Sequence, residues 1–303
     1  MSRSLGAWLR AARPLAHANV APPILLGQAF AAAAGSALDP ALFVIAHGFG
    51  LLDHLFIVFA NDYADRALDA TNETYSPFSG GSRVLPEGLL APASVLRAAF
   101  VCAAMLVALT LALSAVWDRP LAVLFALAAL GLLWAYSYRP LALSYRGGGE
   151  LLQGLGLGAV LPLWAFYVQR GALEGFPWLA LGPLVLLHAA GNVLTALPDA
   201  PSDARGGKHT WPVLRGERAA RVHALVAIAL ALLGIASLIA HTHALTSALV
   251  VSCAPAMGLL ASLVWLREGD AVHRAACLRF VLASASAIGT VQLGWSALLF
   301  ATR

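Results

Sequence analysis

The sequence predicts an all-α polytopic membrane protein, with about nine transmembrane helices in one bundle around a central cavity and the N-terminus in the cytoplasm. Three observations carry this reading. Of 303 residues, 60% are hydrophobic and 11% charged, where soluble domains carry about 25% charged residues. Mean hydropathy is +0.79, and the apolar runs are too many and too long for the core of a soluble domain. The 19 Lys and Arg residues alternate between loops in a way that orients the chain.

The expected spans fall at about 16–36, 41–62, 92–114, 119–137, 150–170, 176–197, 220–240, 246–266 and 279–300. The first continues from a basic Met1–Arg13 segment without a small-residue cleavage pattern, so it reads as a span and not as a signal peptide. With the N-terminus inside, only Arg119, Arg170 and Arg303 fall outside, a strong positive-inside bias. This topology, and not nucleic-acid binding, accounts for the pI of about 9.3. No linker divides the chain, so residues 1–303 read as one domain. The long polar loops at 63–91 and 198–219 are cytoplasmic, and loops of this length tend to carry function. Cys102, Cys253 and Cys277 lie in apolar segments without motif partners and read as packing residues.

The second span ends in Leu55-Phe56-Ile57-Val58-Phe59-Ala60 and runs into Asn61-Asp62-Tyr63-Ala64-Asp65-Arg66-Ala67-Leu68-Asp69. At 100° per residue, with Asn61 at 0°, Asp65 falls at about 40°, Asp69 at about 80° and Asp62 at about 100°. The acids share a face and repel one another, so that face calls for a cation. The sixth span ends in a second pair, Asp199 and Asp203, again four residues apart, followed by Gly206-Gly207-Lys208. A shift of 134 residues superposes Asp65 on Asp199, Asp69 on Asp203 and His54 on His188, which points to two related halves. Pro198 and Pro201 disfavour a continuous helix, so the second pair is expected on a kink or a short separate helix.

The two clusters make a hard, oxygen-rich surface suited to Mg²⁺, which is typically held by a few carboxylates together with substrate phosphates. Lys208, the only lysine, and Arg83, which follows Ser79-Gly80-Gly81-Ser82, place cations beside Gly-rich backbone, a combination that suits phosphate oxygens. Acid for metal and base for phosphate at a membrane surface point to a lipid or prenyl diphosphate. Within the spans, His47, His54 and Asn61 recur every seven residues, and His188, Asn192, Asp199 and Asp203 form a similar stripe. Both stripes are expected to line one cavity, since polar groups at membrane depth face the bundle interior. His54 and His188 would bind an acceptor hydroxyl or take its proton, or else simply hydrogen-bond between packed helices. Asp53 lies off the stripe and is expected to pair elsewhere. Glu150 is expected to pair with Arg146. His17, Asn19 and Gln28 of the first span are further polar groups within reach of the cavity.

These residues resemble the UbiA-type membrane prenyltransferases. That family carries N-D-x-x-D-x-x-x-D after its second span, matched by Asn61, Asp62, Asp65 and Asp69. It carries D-x-x-x-D after its sixth, often with a downstream G-K-x-T, matched by Asp199, Asp203, Gly207, Lys208 and Thr210. The resemblance extends to Arg13-Pro14, to Tyr136-Ser137-Tyr138-Arg139-Pro140 and to Leu143-Ser144-Tyr145-Arg146-Gly147; the last three spans carry no motif. Thr195 departs from an Asn common in quinone-pathway members, and Asn192 lies one turn earlier.

The resemblance implies Mg²⁺-dependent transfer of a polyprenyl group from a prenyl diphosphate to an aromatic acceptor. The acceptor would be a quinone precursor, with the naphthoate branch of menaquinone synthesis suggested by the Ser-Tyr-Arg-Gly loop. A benzoate, chlorin, haem or glycerol-lipid acceptor stays open. It assigns Asn61, Asp65, Asp69, Asp199 and Asp203 to the metal, and these with Lys208 to catalysis. The candidates for substrate binding, from the residues and the resemblance together, are Asp62, Arg83, Tyr138, Tyr145, Arg146, Asn192, His54 and His188. Tyr138, Tyr145 and Trp164 are candidates to steady a carbocation, or else interfacial anchors. The enzyme would sit in a bacterial inner membrane with its site facing the cytoplasm, without nucleic acid. A cation-coupled transporter fits less well, because the acids lie at span ends and not at the midplane. A CDP-alcohol phosphotransferase lacks its Asp-Gly…Ala-Arg pattern here.

Overall fold

The structure is a computed structural model that describes residues 3–73, 75, 80–266 and 274–302. Among them every regular element is helical. In chain order these are α1 (Arg3–Ala11), α2 (Ala21–Ala33), α3 (Pro40–Ala70), α4 (Pro92–Val116), α5 (Ala122–Ser137), α6 (Leu143–Arg146) and α7 (Gly149–Leu155). Then come α8 (Leu161–Arg170), α9 (Leu181–Ala196), α10 (Ala200–Arg205), α11 (Trp211–Arg215), α12 (Glu217–Thr242), α13 (Leu245–Trp265) and α14 (Arg274–Ala301).

Among the described residues seven helical stretches are long and apolar enough to cross a membrane: Pro40–Ala70, Pro92–Val116, Gly149–Arg170, Trp178–Arg205, Glu217–Thr242, Leu245–Trp265 and Ala275–Ala301. Two shorter apolar helices, α2 and α5, occupy the other two expected spans. The outer surface is itself apolar: Leu233, Val250 and Met257 are 68%, 73% and 66% exposed. A helix apolar toward neighbour and surroundings alike belongs in lipid.

The first span departs from expectation. The chain forms a separate α1, turns at Arg13 in the left-handed region (φ 44), passes through a 3-10 turn at Pro14–Asn19, and resumes as α2. Pro14, Pro22 and Pro23 lack N–H donors and cannot extend a preceding helix. His17 and Asn19 therefore lie on a turn and not along a span, but still within reach of the cavity: Asn19 lines it, and His17 packs edge-on against His54.

α3 is one unbroken helix of 31 residues, so Asn61–Asp69 is helical throughout. Pro40 sits at its first turn, and the Asp39 carboxylate accepts from the N–H groups of Ala41 (2.7 Å) and Leu42 (3.3 Å). The second acidic pair is broken as the prolines require: a 3-10 turn at Leu197–Asp199 leads into α10. α7 and α8 are joined through a π-helical turn at Gly156–Val160, a feature frequent at functional sites. Gly154 and Gly158 lie against α9; a Cβ on Gly158 would meet the Leu184 carbonyl at 2.5 Å, so only glycine permits this approach.

One buried cluster joins α2 with α9, α12, α13 and α14; two others join α2, α3, α5 and α8, and α1, α3 and α4. At one end of the bundle the Asp39 N–H meets Gln169 (3.0 Å), Arg119 donates to Val168 (2.9 Å) and Arg170 to Ala34 (2.7 Å). The acidic clusters lie at the other. Arg267 and Arg303, used in the charge count, fall outside the described residues.

Candidate active site

A cavity of about 320 Å³ opens between α3, α5, α7 and α9. From α3 it is lined by the row Asp53, Ile57, Asn61, Asp65 and Asp69, and also by His54, Val58 and Leu68. The first five residues are a single i, i+4 row. Such a row winds around a helix by about 40° per step, so the cavity slants across α3 and does not run down one face. α5 contributes Ala129, Leu132, Leu133 and Tyr136, and the π turn contributes Gly156, Leu157 and Val160. Asn192, Thr195, Ala196, Asp199 and Asp203 close the far wall.

The two acidic clusters meet at the mouth. The Lys208 ammonium lies 2.7 Å from Asp65 Oδ2, a pair joining residues 143 apart in sequence. The Tyr145 hydroxyl donates to Asp65 Oδ1 (2.8 Å), and its ring lies 5.2 Å from Lys208 Nζ. Asp199 accepts from Asn72 Nδ2 (3.1 Å) and from the Gly80 N–H (2.8 Å). Thr210 donates to Asp203 (3.2 Å). Gly81, with φ +76, is pressed against the Asp69 carboxylate. Burial works against the Lys208 charge, but the field of Asp65 and Asp203 outweighs it and raises its pKa above the ordinary 10.5. Burial, with Asp65 alongside, pushes the Tyr145 phenol up as well, so it remains a donor.

Among the described residues no three His, Cys, Asp or Glu side chains converge closely enough to hold a metal ion alone. The donor set still fits Mg²⁺. It consists of hard oxygens divided between two half-sets across one mouth, as befits an ion that keeps waters and takes its remaining ligands from a substrate phosphate.

The sequence profile of the UbiA prenyltransferase family matches residues 20–301. The chain belongs to the UbiA prenyltransferase family. It is a multi-pass membrane prenyltransferase of that family. Its fold is that of solved members. A UbiA homolog from Archaeoglobus fulgidus bound to DMAPP and Mg²⁺ superposes with TM-score 0.65 at 16% identity, over 93% of this chain and 98% of the other. The same homolog bound to GPP and Mg²⁺ gives 0.64 at 18%, over 96% and 99%. The apo UbiA homolog from Aeropyrum pernix K1 gives 0.64 at 18%, over 93% and 97%. A 97-residue stretch is 29% identical to 1,4-dihydroxy-2-naphthoate octaprenyltransferase of Bacillus subtilis (strain 168). That match spans 32% of this chain and 31% of the relative.

Within this prenyltransferase the expected site residues divide. Asn61, Asp65, Asp69, Asp199, Asp203, Lys208, His54 and Asn192 all line the cavity, and Tyr145 touches it through Asp65. Asp62 does not. It shares the angle of Asp69 but lies about 10 Å lower on the axis, where it is paired with Arg13 and bonded to Ser82. Arg83 turns away from the mouth: its guanidinium donates to the carbonyls of Asp69 and Asn72 and stacks on Tyr75. α3 ends at Ala70, and a cation at its C-terminus interacts favourably with the helix dipole. Tyr138 donates to the Ala60 carbonyl (2.9 Å), and Trp164 is fully buried against Phe49. Arg146 is exposed, and Glu150 accepts instead from the Trp211 N–H (2.7 Å).

The histidine stripes reach the cavity only in part. His54 reaches it and bonds the Ala12 carbonyl (2.8 Å), whereas His47 bonds Gln28 (3.2 Å) and His188 bonds Gln292 (3.3 Å) outside it. The seven-residue row gave the direction but not the slant of the cavity. Asp53, expected to pair elsewhere, is on the i+4 row and lines it. Tyr136, Gln153, Asn72 and Arg13 also line it. Of these, Tyr136 and Arg13 stand in the stretches of family resemblance. Gln153, which accepts from Asn192 (2.6 Å), carried no sequence signal.

Proposed function

We propose that the protein transfers a polyprenyl group from a prenyl diphosphate to an aromatic acceptor, with Mg²⁺, in quinone biosynthesis of the menaquinone type. The observation that carries this is one cavity with two chemistries: carboxylates and a lysine at its mouth, and leucines, valines and alanines from α5 and α7 to the π turn behind them. A diphosphate fits the first and an isoprenoid the second. The relatives bound to DMAPP or GPP with Mg²⁺ support the donor class, and the naphthoate octaprenyltransferase supports the acceptor class.

Asn61, Asp65 and Asp69 on one side, and Asp199 and Asp203 on the other, would hold Mg²⁺. The metal would offset charge on the diphosphate as the allylic C–O bond breaks. Lys208 is held in the mouth by Asp65 and supplies a fixed positive charge to the departing oxygen. Tyr145 holds the opposite oxygen of Asp65 and so orients that carboxylate. Asn72 and the Gly80 N–H do the same for Asp199. The apolar wall excludes water from the developing allylic cation, and Tyr136 lines the same cavity. His54 and Asn192 are polar groups placed to meet the acceptor.

Nine spans, a single domain over 1–303 and a cytoplasmic mouth complete the proposal. The concentration of Lys and Arg at the acidic end, with Arg119 and Arg170 at the opposite end, supports that orientation. The test is direct. Asp65→Ala and Asp199→Ala should each abolish Mg²⁺-dependent transfer from geranyl diphosphate, while the protein stays folded in detergent. Turnover retained by both variants would sink the assignment.

A further inference from the structure

Asp53 is a buried acidic group in the cavity that the proposed chemistry leaves without work. It is 6% exposed, lines the cavity, and its Oδ1 is buried with no hydrogen-bond partner among the described residues. A carboxylate oxygen kept buried at membrane depth without a partner costs free energy. Ile57 lies one turn above on the same row, and Val20, Leu133 and the polar Asn19 and His54 line the same cavity, yet none of the described residues bonds that oxygen.

Along α3 it stands twelve residues before Asp65, about 18 Å deeper at 1.5 Å per residue. It therefore cannot share in holding the diphosphate. The isoprenoid tail is an unsuitable neighbour, because alkyl carbon offers no donor and would leave the oxygen desolvated. The remaining participant is the acceptor.

We propose that Asp53 is a specificity-determining residue that binds a hydroxyl of the aromatic acceptor at the deep end of the cavity. Acceptor and diphosphate then occupy opposite ends of one slot, and the prenyl tail leaves between the apolar walls of α5 and α7. The ligand class that follows is a hydroxylated aromatic ring carrying a donor on the side away from the diphosphate. This rests on the prenyl-transfer reading above.

The test uses equilibrium binding to the full chain in detergent, without prenyl diphosphate. The probes are 1,4-dihydroxy-2-naphthoate and 2-naphthoate, which lacks both hydroxyls. The wild type should prefer the dihydroxy compound by about tenfold or more, the size expected of a hydrogen bond to a charged group. Asp53→Leu should lose that preference, and Asp53→Asn should retain part of it. Both variants should bind geranyl diphosphate with Mg²⁺ as the wild type does, which controls for folding. Equal affinity of the wild type for the two naphthoates, or an undiminished preference in Asp53→Leu, overturns the proposal. An Asp53-dependent preference in a wild type that transfers no prenyl group would instead sustain this inference and overturn the functional one.

Discussion

Gly81 offers a sharp test of how the mouth is built. Its φ is +76, and a Cβ there would fall on Oδ2 of Asp69, closer than real Cβ atoms approach. Gly81→Ala therefore carries two costs. One is the left-handed backbone, about 1–2 kcal/mol for a residue with a Cβ. The other is displacement of a carboxylate assigned to the metal. Gly88 separates them: its φ is +65, and a Cβ there meets nothing within 4 Å. Gly88→Ala should lower the melting temperature to a similar extent and leave the Mg²⁺ dependence of transfer unchanged. Gly81→Ala should in addition shift that dependence to higher Mg²⁺ and lose about 10²-fold in rate, the scale of a 1 Å misplacement. The assay is the initial rate of transfer from geranyl diphosphate over a MgCl₂ series, with melting temperatures in the same detergent. If the two variants behave alike, Gly81 is not what seats Asp69.

Two further expectations follow from packing and charge. The Lys208 pKa is raised in the fold, so its pair with Asp65 contributes fully below the ordinary 10.5 and is lost only as pH rises past the raised value. Lys208→Gln should lower the melting temperature by the same amount at pH 7 and pH 9, and a difference that shrinks over that window would contradict the sign. Gly158→Leu should push the π turn off Leu184 and Val185 of α9, destabilising the protein by about 1–3 kcal/mol or more. An unchanged melting temperature would show that the α7–α9 approach is not close-packed.

Much of the site is legible in the sequence. The spacing of Asn61, Asp65 and Asp69 on one helix, the broken helix at Pro198 and Pro201, and the Gly-Lys after Asp203 each describe a local property, and α3, α10 and Lys208 bear them out as geometry. Arg83, Tyr138 and Trp164 lie outside the cavity lining, because residue type alone does not say which partner wins. Arg83 caps the C-terminal end of α3, and Trp164 lies in the core.

The sequence by itself determined an apolar, helical, membrane-embedded chain with two acidic clusters at corresponding helix ends, because hydropathy and a 3.6-residue period are properties of one segment at a time. Only the tertiary structure decided that the cavity follows the i+4 row from Asp53 to Asp69 and not the seven-residue row from His47. Only it brought Lys208 across 143 residues to Asp65, and turned Asp62 toward Arg13. A period fixes where a side chain points around its own axis. What lies in that direction, and at what height, is set by the tilt and contact of neighbouring helices.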